Sequence, residues 1–267
     1  MSGFEFIDAG DGRRLERFGD RLVDRPAAGA SDHRRDPAAW SRADLRYEQP
    51  ATWQGSLEPW TVDFEGLTVE LRPTSSGQIG LFPEQAANLR WLRDRVEADD
   101  AILNLFAYTG AATLAAAAGG ARVVHVDGAR AAIAWARRNA ELAGLSEAPI
   151  RWIIDDAEAF VRREARRGHR YDGIVLDPPS YGHGRRKSAW RLEDGLARLL
   201  EACRSVASPD AFLVLTAHSE GIDAHWLAAR LEDAFGGGRG IETLELELVA
   251  LSGARLWLGS CARMIGG

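Results

Sequence analysis

Five segments of the 267-residue chain carry side chains that could do chemistry, and each directly follows a short apolar run. They are 104–110 (NLFAYTG), Asp127, Asp155 with Asp156, 177–182 (DPPSYG) and 216–219 (TAHS). A short apolar run bounded by turn residues predicts a buried strand. Because ligands in open parallel sheets bind beyond the carboxyl ends of the strands, these segments are the candidate binding and catalytic groups.

Two of the acids, Asp127 and Asp156, could recognise a nucleoside. An acid that ends the second strand can accept hydrogen bonds from both hydroxyls of a ribose. An acid after the third strand can accept a hydrogen bond from the amino group of an adenine. Gly110 would let the backbone approach a ligand closely. Each residue also has a structural alternative, because such glycines usually mark turns and such aspartates often cap helices. Together they indicate a nucleoside-bearing cofactor lying across the edge of the sheet.

The first segment narrows the class of cofactor. A dinucleotide fold needs a Gly-x-Gly-x-x-Gly turn, where a helix N-terminus holds a pyrophosphate. This turn has a single glycine, Gly110, preceded by Phe106 and Tyr108, and the chain has no Gly-Lys-Ser/Thr pattern. The sequence therefore favours a cofactor without phosphate, S-adenosylmethionine.

The elements that must position these groups follow from the pattern of the chain after about residue 80. The predicted strands are 101–106, 122–126, 150–154, 173–176, 211–216, 242–251 and 255–261. The predicted helices are 83–96, 111–118, 129–143, 157–167, 192–207 and 225–235. This alternation predicts an α/β fold with a parallel sheet between two layers of helices. The closing pair of strands predicts one antiparallel strand in that sheet.

The N-terminal part of the chain has a different pattern, with Gly-Asp, Asp-Gly and Asp-Pro turn signals and scattered tryptophans. Alternating runs at 61–64 and 67–71 predict strands. The stretch 24–37 is predicted to be a surface loop. We therefore expect a small β-rich lobe over 1–75 and a larger α/β domain over 76–267.

The composition limits the class of protein. With 46% apolar and 27% charged residues the chain is globular, and its net charge of −6 argues against binding nucleic acid by bulk charge. Its two cysteines, Cys203 and Cys261, exclude a disulfide scaffold or a thiolate-rich zinc site, so no metal site is predicted and the cytoplasm is expected. No run of about 20 apolar residues predicts a membrane span.

The motifs NLFAYTG, Asp127, Asp156 and DPPSY resemble those of class I S-adenosylmethionine-dependent methyltransferases. More narrowly, they resemble the bacterial 23S ribosomal RNA methyltransferase family, whose signatures are NLFxYTG and DPPxF/Y. The stretch 80–85 (GLFPEQ) resembles that family's pre-motif, and Ala86 stands where the family often has arginine. The resemblance covers about 65–265 and implies a Rossmann-like, seven-stranded sheet.

The resemblance also implies site residues. On the cofactor side they are Gln85, Asn104, Phe106, Tyr108, Thr109, Gly110, Asp127 and Asp156. On the catalytic side they are Asp177, Pro178, Pro179 and Tyr181, where the aspartate and Pro178 form the target-base site and the tyrosine walls it. Because Ser180 separates the second proline from Tyr181, the strict Asp/Asn-Pro-Pro-aromatic motif of amine methyltransferases is not met.

The cysteine positions bear on the chemistry of the target. Methylation at carbon 5 of a pyrimidine usually needs a thiolate, and cytosine-modifying relatives place a cysteine in the loop after strand four or five. Here those loops read DPPSYGHG and TAHSEG. Cys203 and Cys261 fall within a predicted helix and strand, where core packing is expected. The sequence therefore disfavours a cysteine nucleophile.

The expected substrate is RNA, and residues in or near the same loops are expected to contact it. The predicted substrate contacts are Ser180, Arg185, Arg186, Lys187 and His218. The basic side chains of 185–187 suit an RNA backbone. His218 is predicted either to accept a proton or to hydrogen-bond within its loop. A second basic cluster, 162–170, is predicted to be a solvated helix face.

The first hypothesis for the function of the protein is a ribosomal RNA base methyltransferase. The alternatives are a methyltransferase for a small molecule or protein, and a cofactor-binding interaction protein without turnover.

Overall fold

The structure, a computed structural model, describes residues 3–48, 51–182 and 190–266. It has two compact units. The N-terminal unit comprises Met1–Ala86, Glu141–Gly144 and Glu247–Leu258. The C-terminal unit comprises Ala87–Ala140, Leu145–Leu246 and Gly259–Gly267. The division of the chain into domains 1–75 and 76–267 stays a prediction.

The N-terminal unit is rich in β-structure, as predicted. Its elements are β1 Phe4–Gly10, β2 Arg13–Phe18, β3 Arg21–Pro26, α1 Pro37–Trp40, β4 Leu45–Glu48, β5 Thr52–Gln54, β6 Trp60–Phe64 and β7 Leu67–Leu71. Strands β1 to β5 form one sheet in sequence order, and β6 pairs with β7 in a separate hairpin. The strands of this hairpin alternate buried and more exposed residues, which is the pattern that predicted them.

The prediction of a surface loop over 24–37 is wrong at its beginning. Residues up to Pro26 belong to β3, and Asp24 is 1% exposed. The Asp24 carboxylate accepts hydrogen bonds from Arg13 Nε at 2.5 Å and Arg46 Nε at 2.9 Å. Asp24 lies two residues before Pro26, and aspartate and proline both favour turns, but two arginines on neighbouring strands satisfy its charge here.

The Asp8 carboxylate anchors the rest of that stretch. Its Oδ2 accepts the backbone N–H groups of Arg35 and Asp36, each at 3.0 Å, and the indole N–H of Trp40 at 2.8 Å. Its Oδ1 accepts the hydroxyl of Ser252 at 2.6 Å. Asp8 is fully buried. Its four partners explain why a segment without regular structure is held in place.

From residue 83 the chain alternates helices and strands. A 3₁₀ helix, Pro83–Gln85, precedes the α-helices. These are α2 Ala86–Arg95, α3 Ala111–Ala118, α4 Arg130–Leu142, α5 Ala157–Arg166, α6 Leu192–Arg204 and α7 Ala224–Phe235. The strands are β8 Ala101–Leu105, β9 Arg122–Asp127, β10 Ile150–Ile154, β11 Tyr171–Leu176, β12 Tyr181–Gly182, β13 Trp190–Arg191, β14 Ala207–Ala217, β15 Ile241–Val249 and β16 Arg255–Met264.

The predicted seven-stranded sheet is confirmed, with the order β10-β9-β8-β11-β14-β16-β15. The pairs among β10, β9, β8, β11 and β14 are parallel, and β16 runs antiparallel to β14. Apolar residues of β8, β11 and β14 are buried with the inner faces of α5, α6 and α7 in one core. Burial of each such large side chain stabilises the fold by about 1.5–3 kcal/mol. Because β8, β9, β10, β11 and β14 are parallel, their carboxyl ends lie along one edge of the sheet.

No helix in the described part of the chain is long and apolar enough to cross a membrane.

Candidate cofactor and catalytic site

The loop between β8 and α3 has an unusual backbone. Phe106 and Tyr108 have positive φ angles of 57° and 48°, which residues other than glycine seldom adopt. The loop is held by hydrogen bonds to the end of β9, from Ala107 N to Val126 O at 3.1 Å and from Tyr108 N to Asp127 Oδ2 at 2.8 Å. Strain of this kind persists where surrounding contacts fix it, and it is common in ligand-binding loops.

Gly110 ends this loop and caps α3 at its N-terminus, with φ at 90°. A Cβ atom at this position would lie 3.1 Å from the Cβ of Ala136 on α4. Both the left-handed backbone and the close approach of α4 therefore require glycine.

Asp127 ends β9, and both of its carboxylate oxygens bind backbone amides. Oδ2 accepts a hydrogen bond from the backbone N–H of Tyr108, and Oδ1 accepts one from the backbone N–H of Ala129 at 2.8 Å. Because a carboxylate has about four acceptor positions, this leaves capacity for the two hydroxyls of a ribose. The fixed carboxylate and the glycine turn beside it fit the nucleoside of S-adenosylmethionine, and the single-glycine loop fits a cofactor without pyrophosphate.

A buried polar network supports the loop from below. Asn104 donates to the Thr113 hydroxyl at 2.9 Å, and this hydroxyl shares a hydrogen bond of 2.8 Å with His125 Nδ1. Asn139 donates to the carbonyl of Thr109 at 2.9 Å. Burial lowers the pKa of His125 to about 3, so its ring is neutral at physiological pH.

The residues of this network are almost completely buried, which assigns Asn104 and the Thr109 carbonyl to support of the loop. Their predicted contact with the cofactor stays a prediction. Thr113, His125 and Asn139 were not among the predicted site residues. The available signal was a polar residue inside an apolar pattern, such as the histidine of RVVHVD in β9.

Asp156 caps α5, with its Oδ1 accepting Ala159 N at 2.9 Å. Asp156 is therefore a helix cap, which was the alternative to a binding role, and its predicted contact with adenine stays a prediction. The neighbouring Asp155 forms an ion pair with Arg163. The two acids after β10 thus have different roles in the local structure.

Asp177 follows β11 directly and is bound by two residues from the end of β14. The Thr216 hydroxyl donates to Asp177 Oδ1, and His218 Nε2 lies 3.1 Å from the same oxygen. Burial by itself would raise the pKa of Asp177, but the positive charge and hydrogen bond of His218 and the hydroxyl of Thr216 outweigh it, so the pKa is lowered. The carboxyl group is therefore ionised and acts as an acceptor.

The loops after β11 and β14 meet, as the sheet-edge argument predicts. The Ser219 hydroxyl donates to the Ser180 hydroxyl at 2.6 Å. Tyr181 pairs through its backbone with Arg191 in the ribbon of β12 and β13. The predicted substrate contacts Arg185, Arg186 and Lys187 lie outside the described residues.

Gln85 closes the 3₁₀ helix of the N-terminal unit, and its role toward the cofactor stays a prediction. Thr216 belongs to the candidate segment 216–219, but no role was predicted for its own side chain. A threonine at the end of a buried strand gives no sequence signal beyond its position.

Replacing Asp127 with alanine is expected to weaken binding of S-adenosylmethionine by about 10- to 100-fold. Hydrogen bonds to a charged group contribute about 1.5–3 kcal/mol, and the amide of Tyr108 would also lose its acceptor. Isothermal titration calorimetry measures the effect. The control is Asp155→Asn, which changes the acid paired with Arg163. Equal affinities for the Asp127 variant and the unmodified protein would contradict the role given to Asp127.

Comparison with known proteins agrees with this geometry. A family model described as S-adenosylmethionine-dependent methyltransferase matches residues 9–232. The crystal structure of an S-adenosylmethionine-dependent methyltransferase from Agrobacterium tumefaciens is 37% identical, with a TM-score of 0.92, and the match covers 99% of this chain and 91% of that chain. A methyltransferase complexed with S-adenosylhomocysteine shares the fold, with a TM-score of 0.76 at 18% identity, over 99% of this chain and 76% of that chain.

Curated relatives include two named ribosomal RNA large subunit methyltransferases. Methyltransferase K/L of Shewanella frigidimarina is 30% identical over 153 residues, which are 57% of this chain and 21% of the relative. Methyltransferase I of Aeromonas salmonicida is 32% identical over 148 residues, which are 55% of this chain and 34% of the relative. The match thus spans only 21% and 34% of the length of these relatives. On its fold, its cofactor loop and the family match over most of its length, the chain belongs to the S-adenosylmethionine-dependent methyltransferase family.

Proposed function

We propose that the protein methylates a base of ribosomal RNA without a cysteine nucleophile. S-adenosylmethionine supplies the methyl group as a sulfonium, and its transfer is an in-line displacement. The task of this chain is therefore to position the acceptor atom and to exclude water. The names of the curated relatives support the choice of ribosomal RNA, and this substrate implies the cytoplasm as the compartment.

The observation that carries the proposal is the fixed, ionised carboxylate of Asp177 at the edge of the sheet. Two donors from β14 and the loop after it orient one of its oxygens. An ionised carboxylate in this position is suited to accept a hydrogen bond from the acceptor base. Pro178, Pro179, Ser180 and Tyr181 would wall the base. Because such a site takes a single base, the target nucleotide must be unpaired or flipped out of its helix.

The two thiols support a reaction without covalent attack on the base. Cys203 lies in α6 and Cys261 in β16, and both are fully buried. Burial raises the pKa of the Cys203 thiol strongly and that of the Cys261 thiol to about 12. Neither thiol is a reactive thiolate at physiological pH, since reactivity requires a low pKa and exposure.

Replacing Arg185, Arg186 and Lys187 together with glutamine is expected to weaken RNA binding and to reduce its dependence on salt. For single strands, each lost phosphate contact lowers the slope of log affinity against log salt by about 0.7. The change in slope is therefore expected to be about 2. Binding of a ribosomal RNA fragment measured by fluorescence anisotropy at several salt concentrations tests this.

The matched control removes the same charge from the other basic cluster, by replacing Arg162, Arg166 and Arg170 with glutamine. These three side chains are exposed at or just beyond the second half of α5. We expect this variant to keep the slope of the unmodified protein. Equal slopes for all three proteins would contradict RNA contact by 185–187 and would favour the small-molecule alternative.

A further inference from the structure

We infer that His218 is a positioning residue that orients the carboxylate of Asp177, and that it does not itself take the proton of the substrate. The inference rests on the proposed function, because it concerns the same site. It changes the role of His218 from a substrate contact to a residue that acts through Asp177.

The hydrogen bond between His218 and Asp177 has a defined direction. The pKa of Asp177 is lowered, so its carboxyl group is ionised and can only accept hydrogen bonds. His218 Nε2 lies 3.1 Å from Asp177 Oδ1, and the ring nitrogen must therefore carry the proton. A nitrogen that already carries a proton and donates it to Asp177 cannot take another from the substrate.

The other ring nitrogen of His218, Nδ1, lies beside strand β16. A Cβ atom placed on Gly259 of β16 would lie 2.9 Å from His218 Nδ1 and 2.5 Å from the carbonyl oxygen of Ala217. Gly259 also has a φ of 153°. Nδ1 thus lies against the backbone of β16, where the absence of a side chain makes room for the ring. Nε2 of His218 thus lies beside Asp177, and Nδ1 lies beside the backbone at Gly259.

The donors to Asp177 also determine the orientation of its carboxylate. Thr216 and His218 are two residues apart at the end of β14, and side chains so spaced in an extended chain lie on one side. Both donate to the same oxygen, Oδ1. Two donors on one oxygen fix the plane of the carboxylate, which assigns the other oxygen, Oδ2, to the hydrogen bond with the acceptor base.

The charges around Asp177 agree with this role. His218 is the cationic group that lowers its pKa, and Thr216 adds a neutral hydroxyl. Cys261 pairs in register with Thr216, and its thiol is neutral below its pKa of about 12. When protonated, His218 therefore contributes charge as well as orientation, and the two contributions can be separated by substitution.

The test compares His218→Gln with His218→Ala. Glutamine can present an amide N–H near the position of Nε2 but has no charge and no basic nitrogen. We expect His218→Ala to lower kcat by about 10- to 100-fold, since small misplacements in an active site have effects of this size. We expect His218→Gln to recover kcat to within about fivefold of the unmodified protein at pH 8. Equal losses in both variants would overturn the inference.

A pH profile gives an independent readout. In both variants the loss of the cationic ring is expected to move the acidic limb of kcat to higher pH, because the pKa of Asp177 returns toward its ordinary value. An acidic limb that stays in place in both variants would contradict the inference. The affinity for S-adenosylmethionine, measured by calorimetry, is expected to stay unchanged and verifies that the variants are folded.

The same experiment separates the two claims. If the unmodified protein does not methylate ribosomal RNA, the proposed function fails. If it does, and glutamine does not restore the rate lost with alanine, only the role of His218 fails.

Discussion

Asp177→Asn is expected to reduce kcat for methyl transfer by about 10²- to 10⁴-fold, while S-adenosylmethionine binds with nearly unchanged affinity. Loss of one preorganised electrostatic contact or of a group that handles a proton has effects of this size. The amide removes the negative charge that the hydroxyl of Thr216 and the ring of His218 hold in place. A single-turnover assay with labelled methyl groups measures the chemical step directly.

The matched control for this variant is Asp172→Asn. Asp172 lies at the opposite end of the same strand, β11, and its carboxylate also has two described donors, Ala101 N at 2.9 Å and the Ser208 hydroxyl at 2.8 Å. We expect its rate constant to lie within about twofold of that of the unmodified protein. If Asp177→Asn were as active as the control, Asp177 would not be the acceptor-side group of this site.

Glu16→Gln is expected to destabilise the N-terminal unit by about 3–5 kcal/mol. Glu16 is fully buried, and its carboxylate accepts Arg25 Nε at 2.6 Å and Arg25 Nη2 at 3.1 Å. Arg14 Nε lies 3.4 Å from the same carboxylate. Removal of its charge leaves two buried guanidinium groups without their anion, and breaking a buried pair has a cost of this size. Hydrogen exchange of peptides from β2 and β3 reports the local free energy of opening.

Glu5→Gln is the control, because Glu5 pairs with Arg17 between β1 and β2 at 3.3 Å but with both side chains about 40% exposed (44% and 39%). An exposed pair contributes about 0–1 kcal/mol. We expect exchange in β2 and β3 to accelerate by at least about 100-fold for Glu16→Gln and only slightly for Glu5→Gln. Similar exchange in the two variants would mean that the buried cluster adds no more stability than a surface pair.

The pH dependence of this cluster has a defined sign. Burial by itself raises the pKa of Glu16, but Arg14 and Arg25 outweigh it and the pKa is lowered. The contribution of Glu16 to stability is therefore present at neutral pH and is lost as the pH falls through the folded-state pKa. The Gln variant lacks this dependence.

The order of helices and strands in the larger unit was predictable because its signals are local and strong. The strand Ile150–Ile154 and the helix Ala111–Ala118 have the predicted bounds. A compact apolar run marks the first, and a pair of glycines ends the second. Because parallel strands end at one edge of a sheet, the order also predicted that the loops carrying Asp177 and His218 would meet.

Features that depend on distant partners were not predictable in the same way. Strand β14 begins at Ala207 and not at 211, because the Ser-Pro-Asp sequence that signals a turn is part of the strand, and Ser208 bonds to Asp172 of β11. The prediction of a loop at Asp24 was wrong because the arginines that bind its carboxylate come from other strands. The support of the cofactor loop by Thr113 and His125 needs the contact of α3 with β9.

The central claim is that this chain methylates a base of ribosomal RNA through Asp177. Mass-spectrometric mapping of modified nucleosides in ribosomal RNA tests it most directly, with a deletion strain compared with its parent. The account predicts one methylated nucleoside that is absent from the deletion strain, restored by the unmodified protein and not restored by Asp177→Asn. Identical modification of ribosomal RNA in the parent and the deletion strain would contradict it.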